Sequence, residues 1–282
     1  MNQHLLLIDG HNLLFQMFFG MPNKIPGKDG RGIEGIWGFT GALLKIIDKI
    51  KPTHVLVIFD GEQKLNREEW SCNYKKNRPN WSNVDAEKNP FSILKDIQTV
   101  LTELGISFFE TTNGYETDDY VKEYCKEYES TCNITISSFD YDFISLVNDH
   151  ITLLTYRGSN STLYDEEKVL TRWKIKPEFF PDYKALVGDS SDNIAGIPRI
   201  GPKMAVQLIN EFGHAEEILN QKEKISKEAI RSMLNIFEGD LRNNLNLIRL
   251  TGTDHLPILL SDLKWVNPSF KTKELLTKLN YI

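Results

Sequence analysis

Nine carboxylates stand where an apolar run ends or a helical pattern begins, and these are the residues whose types and spacing could do chemistry. They are Asp9, Asp60, Glu116, Asp118, Asp119, Asp140, Asp142, Asp189 and Asp192. Brought to one edge of a fold, they could not all stay ionised, because like charges that close disfavour one another's ionisation. A divalent cation removes the conflict. Oxygen-only donors suit Mg²⁺ or Mn²⁺ and do not suit Zn²⁺ or copper, and no His or Cys cluster competes for the role. Two such ions about 3.5–4 Å apart can activate water and stabilise both the attacking and the leaving oxygen of a phosphodiester.

The run Gly188-Asp189-Ser190-Ser191-Asp192-Asn193-Ile194 leads directly into Gly196-Ile197-Pro198-Arg199-Ile200-Gly201-Pro202-Lys203. Asp189 and Asp192 are three apart, a spacing that shares one face if the segment turns helically. The second half reads as a tight turn with a glycine at each end and Pro202 at the first position of a new helix. A helix N-terminus preceded by glycines and carrying a lysine suits a phosphate. Gly196, Arg199, Gly201 and Lys203 are therefore expected to meet nucleic-acid backbone. Cation-holding acids beside a phosphate platform point to phosphodiester cleavage.

Buried strands must position those acids. Residues 4–8 and 53–59 read as continuous apolar strands, each ending in Asp-Gly, with a helical pattern at residues 33–50 between them. That is a βαβ unit of a parallel sheet, and such sheets gather functional groups at their strands' carboxyl ends. Residues 106–109, 133–137, 151–156 and 161–164 read as further strands, with Asp140 and Asp142 following the third of these four. Residues 116–119 open a helix running to about 128, and carry more acid than complementing a helix dipole needs. From about residue 165 the pattern turns helical and stays so. The expected organisation is an α/β core over residues 1–170 and an all-α unit over residues 171–282. Between them in character lies the polar stretch 62–90, with Tyr74-Lys75-Lys76-Asn77-Arg78-Pro79 flanked by Trp70 and Trp81. Basic residues interleaved with aromatics suit phosphate contact and base stacking.

Composition sets the frame. The 282 residues have the apolar and charged fractions of an ordinary globular protein. The run Leu5-Leu6-Leu7-Ile8 is too short for a signal or membrane segment, and the three cysteines match no zinc or redox pattern. A cytoplasmic protein without a membrane partner is expected, monomeric by default. The net charge of −6 does not exclude nucleic acid, because clustered acids are neutralised by the cations they bind.

The motifs as a set resemble the 5′-nuclease family: the 5′→3′ exonuclease domain of bacterial DNA polymerase I, its stand-alone bacterial relatives and the flap endonucleases. The resemblance covers roughly residues 4–260. Asp9 and Asp60 match the family's first strand-end aspartates. Glu116, Asp118 and Asp119 match its E-A-D-D, with Thr117 for alanine. Asp140 and Asp142 match D-x-D, and Asp189 and Asp192 match G-D-x-x-D-N. The resemblance implies a PIN-like core of mostly parallel sheet with flanking helices, joined to a C-terminal helical domain with a helix–three-turn–helix. It implies that Tyr74, Lys75 and Arg78 belong to a helical arch over residues 62–90 through which a 5′ single strand passes. It further implies a K⁺ ion held by main-chain carbonyls at residues 196–201. Expected partners are DNA bearing a 5′ flap or single strand, an RNA–DNA hybrid at a primer's 5′ end, and a DNA polymerase acting in trans. Gln16 stands where the polymerase-type members carry arginine, and Phe139 and Tyr141 replace the glycine and lysine of G-D-K-D. Two other readings compete: a branched-DNA-binding paralogue with weakened catalysis, and a PIN-like ribonuclease.

Overall fold

A computed structural model describes residues 3–61, 75–76, 79–81 and 83–282. Much of the expected arch, including Tyr74 and Arg78, lies outside the described residues.

The sheet is built from runs that can only be buried. β1 (His4–Asp9), β2 (His54–Phe59), β3 (Ser107–Glu110), β4 (Asn133–Ser137), β5 (Ile151–Thr155) and β6 (Thr162–Tyr164) form one sheet in the order β3-β2-β1-β4-β5-β6. The first five are parallel, and β6 closes the edge antiparallel to β5. Leu5 to Ile8 have no exposed surface, as expected of a parallel strand covered on both faces. Burying each such side chain is worth about 1.5–3 kcal/mol.

Alternation along the strands divides the core. Leu5, Leu7, Leu56, Ile58, Ile134 and Ile136 face one way, against α4 (Thr117–Tyr128). Leu6, Ile8, Val55, Val57 and Phe59 face the other, against α1 (Gly10–Gly20), α2 (Glu34–Ile50) and α3 (Leu94–Glu103). The apolar stripe Ile36, Phe39, Leu43, Ile46 and Ile47 on α2 is what holds that helix to the sheet.

α5 (Glu166–Trp173) and α6 (Phe180–Val187) lead to a two-stranded hairpin, β7 (Gly188–Asp189) with β8 (Ile194–Ala195), and then to α7 (Pro202–Phe212). The chain continues through α8 (Ala215–Asn220), α9 (Glu228–Ile236), α10 (Glu238–Ile248) and α11 (Thr272–Lys278). Pro202 occupies the first turn of α7 as expected. The hairpin corrects the expectation of a helical turn bearing Asp189 and Asp192. Gly188 and Gly196 cross there so closely that a side chain on Gly196 would sit 2.2 Å from the Val187 carbonyl, and Gly188 has φ +90°, a conformation that favours glycine.

The cluster on the α4 face runs without a break into the C-terminal helices, through Ile175, Leu186, Leu208, Leu245 and Leu250. The end of the chain then returns to the α/β core. Trp265 donates its main-chain N–H to Thr53 (2.9 Å) and its indole N–H to Leu104 (2.9 Å), and Leu275 and Leu276 of α11 pack against the α2 side. Residues 264–282, expected within the helical unit, thus lie against the α/β layer. No helix among the described residues is long and apolar enough to cross a membrane.

Candidate active site

The strand order reverses between β1 and β4, and the crevice at such a switch point, beyond the carboxyl ends of the strands, is where open α/β sheets bind ligands. Asp9 ends β1 and caps α1, accepting the Asn12 N–H at 3.0 Å. Ser138, just after β4, donates its hydroxyl to Asp9 (2.8 Å) and accepts the Asp140 N–H (3.0 Å), so one side chain sets two acids. Asn12 adds a second link, accepting the Phe139 N–H at 3.0 Å. Asp60 follows β2 and accepts the Thr117 N–H at 2.8 Å. His11 Nδ1 lies 3.2 Å from the Asp60 amide and 3.6 Å from its carboxylate. Neutral, it accepts the amide; protonated, it serves the carboxylate.

Asp9, Asp60, Glu116, Asp118 and Asp140 line one cavity of about 750 Å³, together with Lys75. Asp142, Asp189 and Asp192 form a second group next to it, with one oxygen of each within 4.8 Å of the others. Asp140 links the groups by accepting the Asp142 N–H at 2.8 Å. Eight of the nine expected acids are thereby placed at the two groups.

Asp119 is the ninth, and the structure turns it away. Its carboxylate accepts the Glu116 N–H (3.1 Å) in a reciprocal capping arrangement, and the Thr251 hydroxyl (3.0 Å). It is buried at a helix start, tying α4 to the segment after α10. Its part in a metal set, expected from the motif, is replaced by capping.

Electrostatics report the crowding. Burial pushes the Asp9 carboxyl up to about 6, with Asp60 and Asp140 adding to the effect. Burial pushes Asp142 up to about 7, reinforced by Asp140 and opposed by Lys184. Burial also disfavours ionised Asp60, but His11, the Thr117 N–H and Lys75 outweigh it and hold that carboxyl below its ordinary value. Burial likewise opposes ionisation of Asp189; Lys184 and the Ser191 hydrogen bonds reverse the balance and lower it.

Two lysines sit among the acids. Lys184 ion-pairs with Asp142 and, at 2.5 Å, with Asp189. Sequence reasoning missed it, although a lysine inside the otherwise apolar Ala185-Leu186-Val187 turn of α6 was a signal. Lys75, expected to steer a phosphate, ion-pairs with Glu116 and donates its main-chain N–H to Asp192 at 3.2 Å, joining the two groups. Both lysines place ammonium charge where the donor set, all hard oxygen, fits divalent ions.

The departures from the motif have structural partners. Gln16 donates to the Tyr156 carbonyl at 2.7 Å. The exposed Arg157 guanidinium lies over Phe139 at 5.0 Å, and Arg172 covers Tyr141 at 4.8 Å while donating to its hydroxyl at 3.0 Å. Among the described residues, two buried polar side-chain atoms have no hydrogen-bond partner, His11 Nε2 and Thr117 Oγ1, and both residues line the cavity.

The turn at residues 196–201 is closed by an Ile200 N–H to Ile197 carbonyl bond of 3.0 Å, with Arg199 left-handed at φ 68°. Arg199, Gly201 and Lys203 are exposed, and Gly196 is half-buried.

Residues 4–174 match the family described as 5′-3′ exonuclease, N-terminal resolvase-like domain, and residues 175–271 match 5′-3′ exonuclease, C-terminal SAM fold. A 5′-3′ exonuclease of Aquifex aeolicus is 31% identical over 277 residues, 98% of this chain and 91% of that protein. One from Buchnera aphidicola is 34% identical over 239 residues, 84% of this chain and 76% of that protein. Among solved structures, T5 5′-exonuclease with bound divalent metal ions (zinc) superposes with a TM-score of 0.72 at 24% identity, covering 88% of this chain and 90% of that one. The catalytic core of Rad2 in complex with DNA substrate gives 0.59 at 14% identity, covering 98% and 93%. These two likenesses are of fold. With both of its halves matched in order and two relatives aligned across most of their length, this chain belongs to the 5′-3′ exonuclease family.

Proposed function

We propose that the protein is a structure-specific 5′-nuclease that hydrolyses phosphodiesters at or near the 5′ ends and 5′ flaps of DNA, in replication or repair. The observation that carries this reading is the convergence of Asp9, Asp60, Glu116, Asp118 and Asp140 on one cavity, with Asp142, Asp189 and Asp192 beside it.

These eight residues would hold two Mg²⁺ or Mn²⁺ ions, which supply activation of water and neutralisation of charge at phosphorus. Lys75 would exchange Glu116 for the scissile phosphate once ions neutralise the acids, and Arg78 and Tyr74 would assist it on the 5′ strand. Ser138 and Asn12 hold Asp9 and Asp140 in place for that set. Hydrolysis in line leaves a 5′-phosphate and a 3′-hydroxyl, and no side chain is needed as a nucleophile. Division of labour follows the sequence, with residues 1–170 carrying the chemistry and residues 171–282 the duplex. Gly196, Arg199, Gly201 and Lys203 would grip duplex phosphates without reading sequence, with K⁺ bound by main-chain carbonyls of the same turn. We extend the reading to RNA–DNA hybrids at primers, to a DNA polymerase acting in trans, and to a monomer in the cytoplasm.

The test is cleavage of a 5′-end-labelled flap in Mg²⁺ or Mn²⁺ against EDTA, beside Asp140→Ala. Metal-dependent cuts near the junction are expected from the wild type and none from the variant. Retained cleavage by the variant would sink the assignment of the acids.

A further inference from the structure

Only half of the cavity wall is acidic. The other half is aromatic: Phe15 of α1, Trp81 and Phe91 line the same 750 Å³ space, with Asn89 and Pro79 between them. The three rings stand edge to face, Phe15 to Trp81 at 5.6 Å and 79°, Phe15 to Phe91 at 5.4 Å and 78°, and Trp81 to Phe91 at 6.5 Å and 65°. Mutual edge-to-face packing stiffens such a cluster. All three are half-buried, so each keeps surface toward solvent.

Asn89 fixes the wall further, accepting the Phe91 N–H at 3.0 Å and donating to the Trp81 carbonyl at 3.1 Å. His11 joins it to the acids, its ring 5.1 Å from Phe91 and its Nδ1 beside Asp60. Its Nε2 has no hydrogen-bond partner. A preformed apolar wall with one unmatched polar atom, continuous with a cation-binding acid set, is the layout of a ligand subsite.

We propose that Phe15, Trp81 and Phe91 form a stacking subsite for an unpaired nucleobase next to the scissile phosphate. The proposal rests on the nuclease reading, because that reading puts a phosphodiester over the acids and a base one sugar away from it. A planar, sequence-tolerant partner for aromatic rings is what a nucleobase offers. The polar edge of the base would face His11. The subsite therefore selects for a nucleotide freed from its duplex partner.

The experiment uses the full chain and a set of 5′-flap DNAs, each with an abasic residue at one nucleotide flanking the cut site. The quantity read is the ratio of kcat/KM on intact and abasic flaps in Mg²⁺. For the wild type, one position is expected to lower kcat/KM by about ten-fold, the order that loss of one base–aromatic stack produces. In Trp81→Leu and in Phe15→Leu the ratio at that position should collapse toward one, and Trp81→Phe should restore it. A purely structural defect slows every substrate alike and preserves the ratio, which would overturn the subsite. A wild type that cuts flaps but ignores every abasic position also overturns it and leaves the nuclease reading standing. A wild type that neither binds nor cuts DNA overturns both.

Discussion

Lys184 holds a position that a metal ion would contest. Its amine lies between Asp142 and Asp189, and its side chain is only 13% exposed. Removing one partner of a buried ion pair costs about 3–5 kcal/mol, because the other is left uncompensated. Lys184→Met should therefore lower the unfolding midpoint sharply in EDTA, and Mg²⁺ should restore more stability to the variant than it adds to the wild type. Denaturant titration in both conditions checks this; an equal Mg²⁺ increment in the two chains would mean that the lysine and the ion do not share the acids. The acids themselves were legible in the sequence because apolar runs announce strand ends, and Asp9, Asp60 and Asp140 each follow one. Asp119 was not, since its choice between cavity and cap depends on Thr251, 132 residues away. Lys184 was not, since its partners meet only in three dimensions.

At the scale of elements, the turn at residues 196–201 and the amino ends of β1 and β2 each carry a prediction. Arg199 holds φ 68°, a conformation that costs an L-residue about 1–2 kcal/mol and glycine almost nothing. Arg199→Gly should raise stability by about 1 kcal/mol while weakening duplex binding and flattening its salt dependence. Binding titrations at several salt concentrations, beside a melting curve, separate the two effects. Tighter binding by the variant would remove Arg199 from the DNA face. His4 and His54 stand at the amino ends of neighbouring strands, linked through Thr53, whose hydroxyl lies 2.8 Å from His54 Nδ1 and accepts the His4 N–H at 2.9 Å. Burial lowers both imidazoles below their ordinary value, with Lys264 adding to the effect at His54. A depressed histidine favours the neutral form in the folded chain, so its contribution is complete above about pH 6.5 and is lost as pH falls. Between pH 7 and 5 the melting temperature of His54→Gln should fall less than that of the wild type; parallel curves would show that His54 does not titrate with folding. The strands were readable from apolar runs alone, whereas the hairpin carrying Asp189 was not. Its close crossing of Gly188 and Gly196 is a tertiary fact, and spacing alone suggested a helix.

The whole molecule joins what the sequence divides. A change of pattern near residue 165 is real, and the family matches also meet at residues 174 and 175. Yet one apolar cluster runs from Leu5 and Ile136 in the sheet to Leu245 and Leu250 in the helices. Asn244 adds polar stitching, donating to the Ala185 carbonyl at 3.1 Å and the Ala195 carbonyl at 2.8 Å. The returning tail then closes the opposite face of the sheet through Trp265, Leu275 and Leu276. None of this could be read from periodicity, which reports an apolar face without naming what covers it. Two bodies sharing a core should unfold together, where independent domains would give separate transitions. Calorimetry should accordingly show one transition. Trp265 is 8% exposed, and its indole hydrogen bond is satisfied at Leu104. Trp265→Ala should cost about 3–5 kcal/mol and move that entire transition down, although Trp265 packs beside the amino end of β2, opposite the acids. The folded fraction should keep the wild-type kcat on a flap, since no group of the cavity is touched. A variant whose helical half still melted at the wild-type temperature, while the α/β half melted earlier, would show that the shared cluster does not couple them.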